Sequence, residues 1–180
     1  MKLQYVATWV RFDISFTASQ LASHVGNPGA AHWAALHHLM EYLENYPSFK
    51  LVYRRGLRTG KELDAYADSD WGTDVVTRKS ISGQIARYNN TPISWRSKKQ
   101  QSFALSSSEA EYMAVSDFAT EIIYLRGLLR NMGFPQDGPT TVYDDNTACY
   151  IMSGSFRTDY HIDFTGSTTG TADSSSGLHS

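Results

Sequence analysis

SISGQIARYNNTPISWRSKKQ, residues 80–100, predicts two adjacent strands of a β-sheet. Ser80 to Tyr88 and Ile93 to Arg96 are short runs with the apolar and aromatic residues that favour strands. The Asn89-Asn90 pair between them is typical of a hairpin turn. We therefore predict an antiparallel hairpin near the middle of the chain.

Two further strands and a long helix are predicted around this hairpin. Leu63 to Asp70 reads as a strand before it, and Thr140 to Asp144 as a strand after it, followed by a short helix from Asn146. Between them, Ser106-Ser107-Ser108-Glu109 fits a capping box, so we expect a helix to begin at Ser106. Its apolar stripe, ended by Gly133 and Pro135, consists of Ile122, Leu125, Leu128, Leu129 and Met132.

The first third of the chain is predicted to be mainly helical. Asn27-Pro28-Gly29 is a turn signal, and Pro47 ends the helix that follows it. Leu51-Val52-Tyr53 is then a candidate for a short strand. The apolar residues of the helix recur at helical spacing, at Leu36, Leu39, Met40 and Leu43.

The composition is that of a folded chain rather than a disordered one. Its 180 residues are 41% hydrophobic and 13% aromatic, enough to bury a core. The net charge of −2 argues against a surface covered in positive charge, so nucleic-acid binding would need a local basic patch. The single cysteine, Cys149, excludes an intramolecular disulfide, and no stretch is long enough to span a membrane.

Four acidic residues are candidates for a metal-binding or catalytic site. Asp68 lies on the first strand, Glu111 near the helix start, Asp145 at the end of a strand and Asp163 in the segment beyond it. Four carboxylates brought together could hold two divalent cations, which activate water and stabilise the leaving oxygen in phosphodiester hydrolysis. Magnesium suits such a site because it prefers oxygen ligands.

Spacing alone does not select every one of these residues. Asp68 and Asp70 share one face of a strand. Glu109 and Glu111 are about 200° apart around a helix, so they cannot both face the site, and the capping box accounts for Glu109. The two residues of Asp144-Asp145 point to opposite faces if the strand continues that far.

The chain resembles the ribonuclease H region of copia-type retrotransposon Pol polyproteins, together with the segment just upstream of that region. The resemblance covers roughly residues 1–164. It is carried by Arg11-Phe12-Asp13-Ile14, Asn27-Pro28-Gly29, His32-Trp33, Tyr42-Leu43, Tyr66-Ala67-Asp68-Ser69-Asp70-Trp71, Arg78-Lys79-Ser80-Ile81-Ser82-Gly83, Ile93-Ser94-Trp95-Arg96-Ser97-Lys98-Lys99-Gln100, Ala104-Leu105-Ser106-Ser107-Ser108-Glu109-Ala110-Glu111-Tyr112, Asp145-Asn146 and His161-Ile162-Asp163.

The resemblance implies a fold, an activity and a set of site residues. The fold would be an α/β, ribonuclease H-like mixed sheet flanked by helices, at residues 61–164, after a helical connection-like segment at residues 1–60. The activity would be hydrolysis of the RNA strand of RNA–DNA hybrids with two Mg²⁺ ions, in the cytoplasm or nucleus. The implied catalytic and metal-binding residues are Asp68, Glu111, Asp145 and Asp163.

Two departures from the family pattern surround Asp163. The stretch from Ser153 to Arg157 is shorter than the family usually has, and no further helix follows Asp163. Residues 165–180 are instead rich in Ser, Thr and Gly and read as a disordered tail. We therefore expect any ribonuclease H activity to be impaired.

A basic patch supplies the local positive charge that nucleic-acid binding would need. From Val75 to Ser108 there are six basic residues and no acidic one. Basic side chains neutralise backbone phosphates and give binding that depends on salt and little on sequence. The candidate nucleic-acid contacts are Arg78, Lys79, Arg96, Lys98 and Lys99.

A second interpretation remains open and belongs to a different functional class. The four residues Arg55, Gly56, Leu57 and Arg58 match the Arg-x-Leu-Arg motif of secreted oomycete effectors. Such proteins enter plant cells, act on host proteins and alter host defence or cell death. On this interpretation the chain is a stand-alone, secreted and non-catalytic fragment of the retroelement region.

Overall fold

The computed structural model describes residues 2–53, 56, 62–74, 78–145 and 161–164, the last range by its backbone alone. Four α-helices and five β-strands lie in these ranges, with a 3-10 turn at Phe12–Ile14. The helices are α1 (Lys2–Trp9), α2 (Ser15–Ser23), α3 (Ala30–Asn45) and α4 (Ser107–Asn131). The strands are β1 (Leu63–Asp70), β2 (Ile81–Tyr88), β3 (Thr91–Lys99), β4 (Thr140–Tyr143) and β5 (His161–Phe164).

The strands form one mixed five-stranded sheet in the order β3-β2-β1-β4-β5. β1, β2 and β3 are antiparallel neighbours, β4 runs parallel to β1, and β5 runs antiparallel to β4. Helix α4 connects β3 to β4 and covers one face of the sheet. The protein is therefore of the α/β class, as predicted.

The predicted hairpin is confirmed at the expected place. Asn89 and Asn90 have φ values of 49° and 62°, the left-handed backbone that a tight hairpin needs and that Asn tolerates. β3 is longer than the predicted Ile93 to Arg96 because pairing continues to Lys99, opposite Ile81. The apolar pattern did not predict this extension because the residues at the end of β3 are polar.

The main core lies between α4 and the sheet. Leu63, Ala65 and Ala67 alternate along β1 and are buried against Phe118 and Ile122 of α4. Small alanines in β1 let the helix approach the sheet closely, and the large side chains of α4 fill the space. Since the odd-numbered residues of β1 face α4, its even-numbered residues, including Asp68, face the other side of the sheet.

The N-terminal helices form a second, smaller core. Ala7, Ile14, Ala18 and Leu39 are buried there. Met40 is 43% exposed, although the apolar spacing predicted that it would face the core. Leu39 is buried and Leu36 and Leu43 are half-buried, so only Met40 of the four apolar positions is exposed.

The predicted strand at Leu51-Val52-Tyr53 is wrong. This segment has no strand pairing and instead lies beside the hairpin through side-chain contacts. The Thr91 hydroxyl donates to the Val52 carbonyl at 2.9 Å, and the Tyr53 hydroxyl donates to the Pro92 carbonyl at 3.2 Å. A proline in β3 has no N–H to offer, which is one reason that no backbone ladder forms at this point.

Several predictions fall outside the described residues. They are the short helix from Asn146, the tail at residues 165–180, and the environment of Cys149. Strand β5 was not predicted from the sequence. No helix among the described residues combines the length and the apolar character that crossing a membrane would need.

Candidate metal centre

Asp68 lies where the sheet opens between two strands. β1 pairs with β4 only from Asp64 to Tyr66, so β1 continues beyond the last paired residue of its parallel neighbour. The Asp68 side chain is exposed at this open edge, and its Oδ1 accepts a hydrogen bond of 2.8 Å from the Ser69 backbone N–H. A carboxylate at an open edge can be reached from both sides of the sheet.

Glu111 approaches the same point from helix α4. The helix begins after Ser106, whose hydroxyl accepts a hydrogen bond from the Glu109 N–H at 3.2 Å. Glu109 in turn accepts from the Leu105 N–H at 2.6 Å, one residue before the position expected in a capping box. This double cap fixes the first turn, and Glu111 lies buried in the turn that follows, 5% exposed.

Asp145 completes the group from the loop after β4. β4 ends at Tyr143, so Asp144 and Asp145 do not follow strand alternation. The parallel register aligns Tyr66 with Tyr143, and the triplet Tyr-x-Asp therefore occurs in both neighbouring strands at the same level. This register brings Asp145 beside Asp68.

The three carboxylates meet. Asp68, Glu111 and Asp145 each offer a carboxylate oxygen, and these atoms all lie within 4.8 Å of one another. They are three of the four residues predicted for the site, and their catalytic and metal-binding roles stay a prediction. Carboxylate oxygens at such distances can share one divalent cation or hold two neighbouring ones.

The charge of Glu111 is disfavoured by its surroundings. Burial, followed by the negative charges of Asp144, Asp68, Asp145 and Asp70, raises the pKa of Glu111 to about 8. The Glu111 Oε2 atom is shielded from solvent and has no hydrogen-bond partner among the described residues. A bound cation would satisfy this oxygen and offset the repulsion, so the residues present fit a metal with oxygen ligands.

Two further acidic residues lie close enough to affect the charge of Glu111. Asp144 exerts the largest charge effect on Glu111, and Asp70 contributes as well. The resemblance selected Asp145 rather than Asp144, and strand alternation predicted that the two would point to opposite faces if the strand continued, but the strand ends before both. The sequence signal for Asp144 is the adjacent pair Asp144-Asp145, since two neighbouring carboxylates on a loop do not have to point to opposite faces.

A buried glutamine holds the surroundings of the carboxylates in place. The Gln100 amide nitrogen donates to the Ala110 carbonyl at 2.8 Å and to the Ser82 hydroxyl at 2.9 Å. The Ser69 hydroxyl lies 3.4 Å from the same nitrogen. Gln100 thus links the residue after Asp68 to the residue before Glu111, a role that the sequence did not reveal.

Asp163 is placed only by its backbone. It lies in β5, opposite Thr141 of β4. Thr141 in turn pairs with Asp64 of β1, and Asp64 lies four residues before Asp68. The position of the Asp163 carboxylate lies outside what the structure describes, so its predicted role stays a prediction.

The five predicted nucleic-acid contacts have different surroundings. Arg96 forms an ion pair of 2.7 Å with Asp117 and donates to Gln84, which ties β3 to α4. Lys99 pairs with Asp74. The Lys79 ammonium lies 5.4 Å from the centre of the Phe103 ring and donates to the Gln101 carbonyl.

Two of these basic residues remain available for a ligand. Arg78 and Lys98 are exposed, and neither has an ion-pair partner within the described part of the chain. Arg78 also has a φ of 56°, a left-handed conformation in the loop before β2. Of the Arg-x-Leu-Arg motif only Gly56 is described; Arg55, Leu57 and Arg58 lie outside the described residues.

The chain is similar to transposon polyproteins over most of its length. It is 35% identical over 152 residues to the "Retrovirus-related Pol polyprotein from transposon RE2" of Arabidopsis thaliana, a match that covers 84% of this chain and 10% of the polyprotein. It is 30% identical over 159 residues to the corresponding TNT 1-94 polyprotein of Nicotiana tabacum, covering 88% of this chain and 12% of that protein. The chain thus spans about a tenth of the length of the polyproteins.

A second kind of relative is comparable to this chain in length. "Secreted RxLR effector protein 161" of Plasmopara viticola is 37% identical over 123 residues, which are 68% of this chain and 85% of the relative. No protein-family model and no solved structure matches the chain. The chain belongs to the family of copia-type retrotransposon Pol polyproteins and of this RxLR effector-named relative, and is a retrotransposon-derived region.

Proposed function

We propose that this chain is a ribonuclease H-like domain that hydrolyses the RNA strand of RNA–DNA hybrids with divalent metal ions. The observation that carries the proposal is the convergence of Asp68, Glu111 and Asp145 within 4.8 Å. The relationship of the chain to transposon Pol polyproteins supports the same function. The sheet order and the position of α4 are consistent with a ribonuclease H-like fold.

The three carboxylates would hold the metal, and Mg²⁺ is the ion that suits them. Their donor atoms are all oxygens, and the buried, unpartnered Oε2 of Glu111 offers a ligand position. Magnesium bound there would activate water and stabilise the leaving oxygen of a phosphodiester. Asp163 would join the site if its carboxylate reaches the same edge of the sheet.

The residues of the chain have separable tasks in this proposal. Asp68 and Asp145 supply exposed negative charge at the open sheet edge, where a phosphate can approach. Glu111 would hold the metal from within the protein, and its burial would keep bulk water away from that side. Arg78 and Lys98 supply positive charge for the phosphates of the hybrid.

Cleavage of a labelled RNA–DNA hybrid by the purified chain tests the proposal. We expect Mg²⁺-dependent cleavage of the RNA strand that EDTA stops and that Asp68→Asn reduces by about a hundredfold or more, since an amide cannot supply the charge that holds the metal. Asp137→Asn is the matched control, because Asp137 is an exposed aspartate outside the site. Cleavage that is insensitive to EDTA or unchanged in Asp68→Asn would contradict the proposal.

The relative named as an effector supports a second candidate function. On this view the chain is a non-catalytic secreted protein that acts on plant host proteins, and Arg55, Gly56, Leu57 and Arg58 form its export motif. Expression in plant leaf of the wild type and of the Asp68→Asn, Glu111→Gln double variant separates the two functions. Cell death or a host response that survives in the double variant supports the effector and excludes hydrolysis as its cause.

A further inference from the structure

One row of residues crosses the sheet beside the carboxylates and contains a gap. The register pairs Asp68 of β1 with Gly83 of β2, and Gly83 with Ser97 of β3. Paired residues point to the same face, so Asp68 and Ser97 stand on either side of a glycine that has no side chain. A Cβ built on Gly83 would meet no atom within 4 Å.

The neighbouring row forms a wall along this gap. Tyr66, Ile85 and Trp95 are paired across the same three strands and point to the same face, one side-chain repeat away. Trp95 is fixed there, because its indole N–H donates to the Ala7 carbonyl at 2.7 Å. Phe16 of α2 lines the same cleft from the N-terminal helices and is 47% exposed.

The result is a groove that leads away from the metal centre. The cleft has a volume of about 320 Å³ and is lined by both Asp68 and Ser97. Strands are about 4.8 Å apart, so the backbone positions of Asp68 and Ser97 are separated by roughly 10 Å. That span accommodates the sugar and phosphate of the nucleotide next to a phosphodiester bound at Asp68.

The far end of the groove offers a polar group that lacks a partner. The Ser97 hydroxyl oxygen is shielded from solvent and makes no hydrogen bond to any described residue. An unsatisfied hydroxyl of this kind is costly unless a ligand completes it. The ligand must carry a polar atom that accepts or donates a hydrogen bond, as the phosphate and the 2′-hydroxyl of RNA do.

We infer that the strand to be cleaved crosses the sheet over Gly83, with its ribose-phosphate against the Ser97 hydroxyl. This inference rests on the proposed function and specifies where the substrate lies. Gly83 is open because the sugar-phosphate backbone occupies that space, and the aromatic wall of Tyr66 and Trp95 limits the path on one side. Gly83 and Ser97 are therefore positioning residues for the substrate rather than metal ligands.

Hybrid affinity in graded Gly83 variants tests this inference. Fluorescence anisotropy with a labelled RNA–DNA hybrid would be measured in Ca²⁺, whose longer and more flexible coordination disfavours the two-metal geometry that hydrolysis needs. We expect Gly83→Val to bind at least about tenfold more weakly, Gly83→Ala to bind moderately more weakly, and Ser97→Ala to lose about threefold to tenfold. A DNA duplex of the same sequence distinguishes the two oxygen sources, because a 2′-hydroxyl contact at Ser97 affects the hybrid alone.

Controls separate substrate binding from folding. Gly127→Ala is matched to Gly83→Ala, since Gly127 also has open space at its Cβ but lies 16 residues after Glu111 on α4. β-Branched residues favour strands, so Gly83→Val should melt no lower than the wild type. Should Gly83→Val nevertheless melt early, Gly83→Ala and Ser97→Ala decide the question.

The outcomes also separate this inference from the proposed function. If the wild type cleaves the hybrid and the affinities of Gly83→Val and Ser97→Ala are unchanged, the inferred substrate path is wrong and the proposed nuclease activity stands. If the wild type binds the hybrid without cleaving it and the variants lose affinity, the inferred substrate path is supported and the proposed hydrolysis is contradicted. If the wild type does not bind the hybrid, the inferred substrate path is wrong as well.

Discussion

Glu111 lies buried beside four other acidic residues, an arrangement that is unfavourable without a counterion. Its folded-state pKa of about 8 stands above the ordinary value of 4.5, so the folded chain binds more protons than the unfolded chain between these two pH values. Stability from this residue is therefore complete below about pH 4.5 and is lost as the pH rises through 8. The slope approaches about 1.4 kcal/mol per pH unit within this window.

Glu111→Gln should accordingly stabilise the metal-free protein at high pH. The expected gain in the free energy of unfolding is small at pH 5 and grows to a few kcal/mol, on the order of 1–4, by pH 8. Urea denaturation in EDTA at pH 5, 6.5 and 8 measures it. Glu44→Gln, at an exposed residue of α3, provides the control. A gain that does not depend on pH would contradict the linkage.

Single residues of the site could be predicted only in part. The helical angle showed that Glu109 and Glu111 cannot both face the site, the capping box accounted for Glu109, and the structure gives Glu109 that capping contact. Alternation failed at Asp144 because β4 ends one residue earlier. Gln100 was missed because a buried side-chain amide has no sequence period of its own; its role depends on contacts between three elements.

Helix α4 depends on its first turn to carry Glu111 to the sheet. The Ser106 hydroxyl caps the Glu109 N–H, and Ser→Ala at such a position costs about 1 kcal/mol. We expect Ser106→Ala to lower the free energy of unfolding by that amount and also to weaken metal binding, because the fraying turn lies next to Glu111. Ser23→Ala, at an exposed serine that ends α2, is the comparison. Loss of stability with no change in metal affinity would show that the cap does not position Glu111.

Elements with a strong local signal were predicted, and those that depend on long-range contacts were not. The bounds of β1, the hairpin turn and the start of α4 follow from alternation, turn chemistry and capping. The polar end of β3 is a strand because β2 pairs with it, and β5 is a strand because β4 offers an edge. Leu51-Val52-Tyr53 shows the opposite case, where a suitable local composition found no partner strand.

The molecule has two cores joined across the sheet face that bears the groove. Phe12 lies edge-on to Trp95 with 6.0 Å between ring centres, and the Trp95 indole donates to the Ala7 carbonyl. The cluster of the N-terminal helices contains none of the residues of the main core. Trp95 is thus a principal link between the helices and the sheet.

Trp95→Ala should loosen the N-terminal helices more than the sheet. Removing a large aromatic side chain from such a contact costs about 3–5 kcal/mol at a buried site and less at this half-buried one. We expect faster amide hydrogen exchange in α1, α2 and α3, with protection of β1 and α4 largely retained. Trp71→Ala is the control, because Trp71 is 54% exposed and lies outside the interface. Equal loss of protection in both regions would indicate a single cooperative unit.

Titration of the purified chain with Mg²⁺ by isothermal calorimetry tests the metal centre most directly. The wild type should bind Mg²⁺, and Asp68→Asn, Glu111→Gln and Asp145→Asn should each weaken binding by about tenfold or more, since each removes a ligand charge. Asp137→Asn should bind as the wild type does. Absence of binding in the wild type, or binding by the three site variants that is as tight as that of the wild type, would contradict a metal centre at Asp68, Glu111 and Asp145.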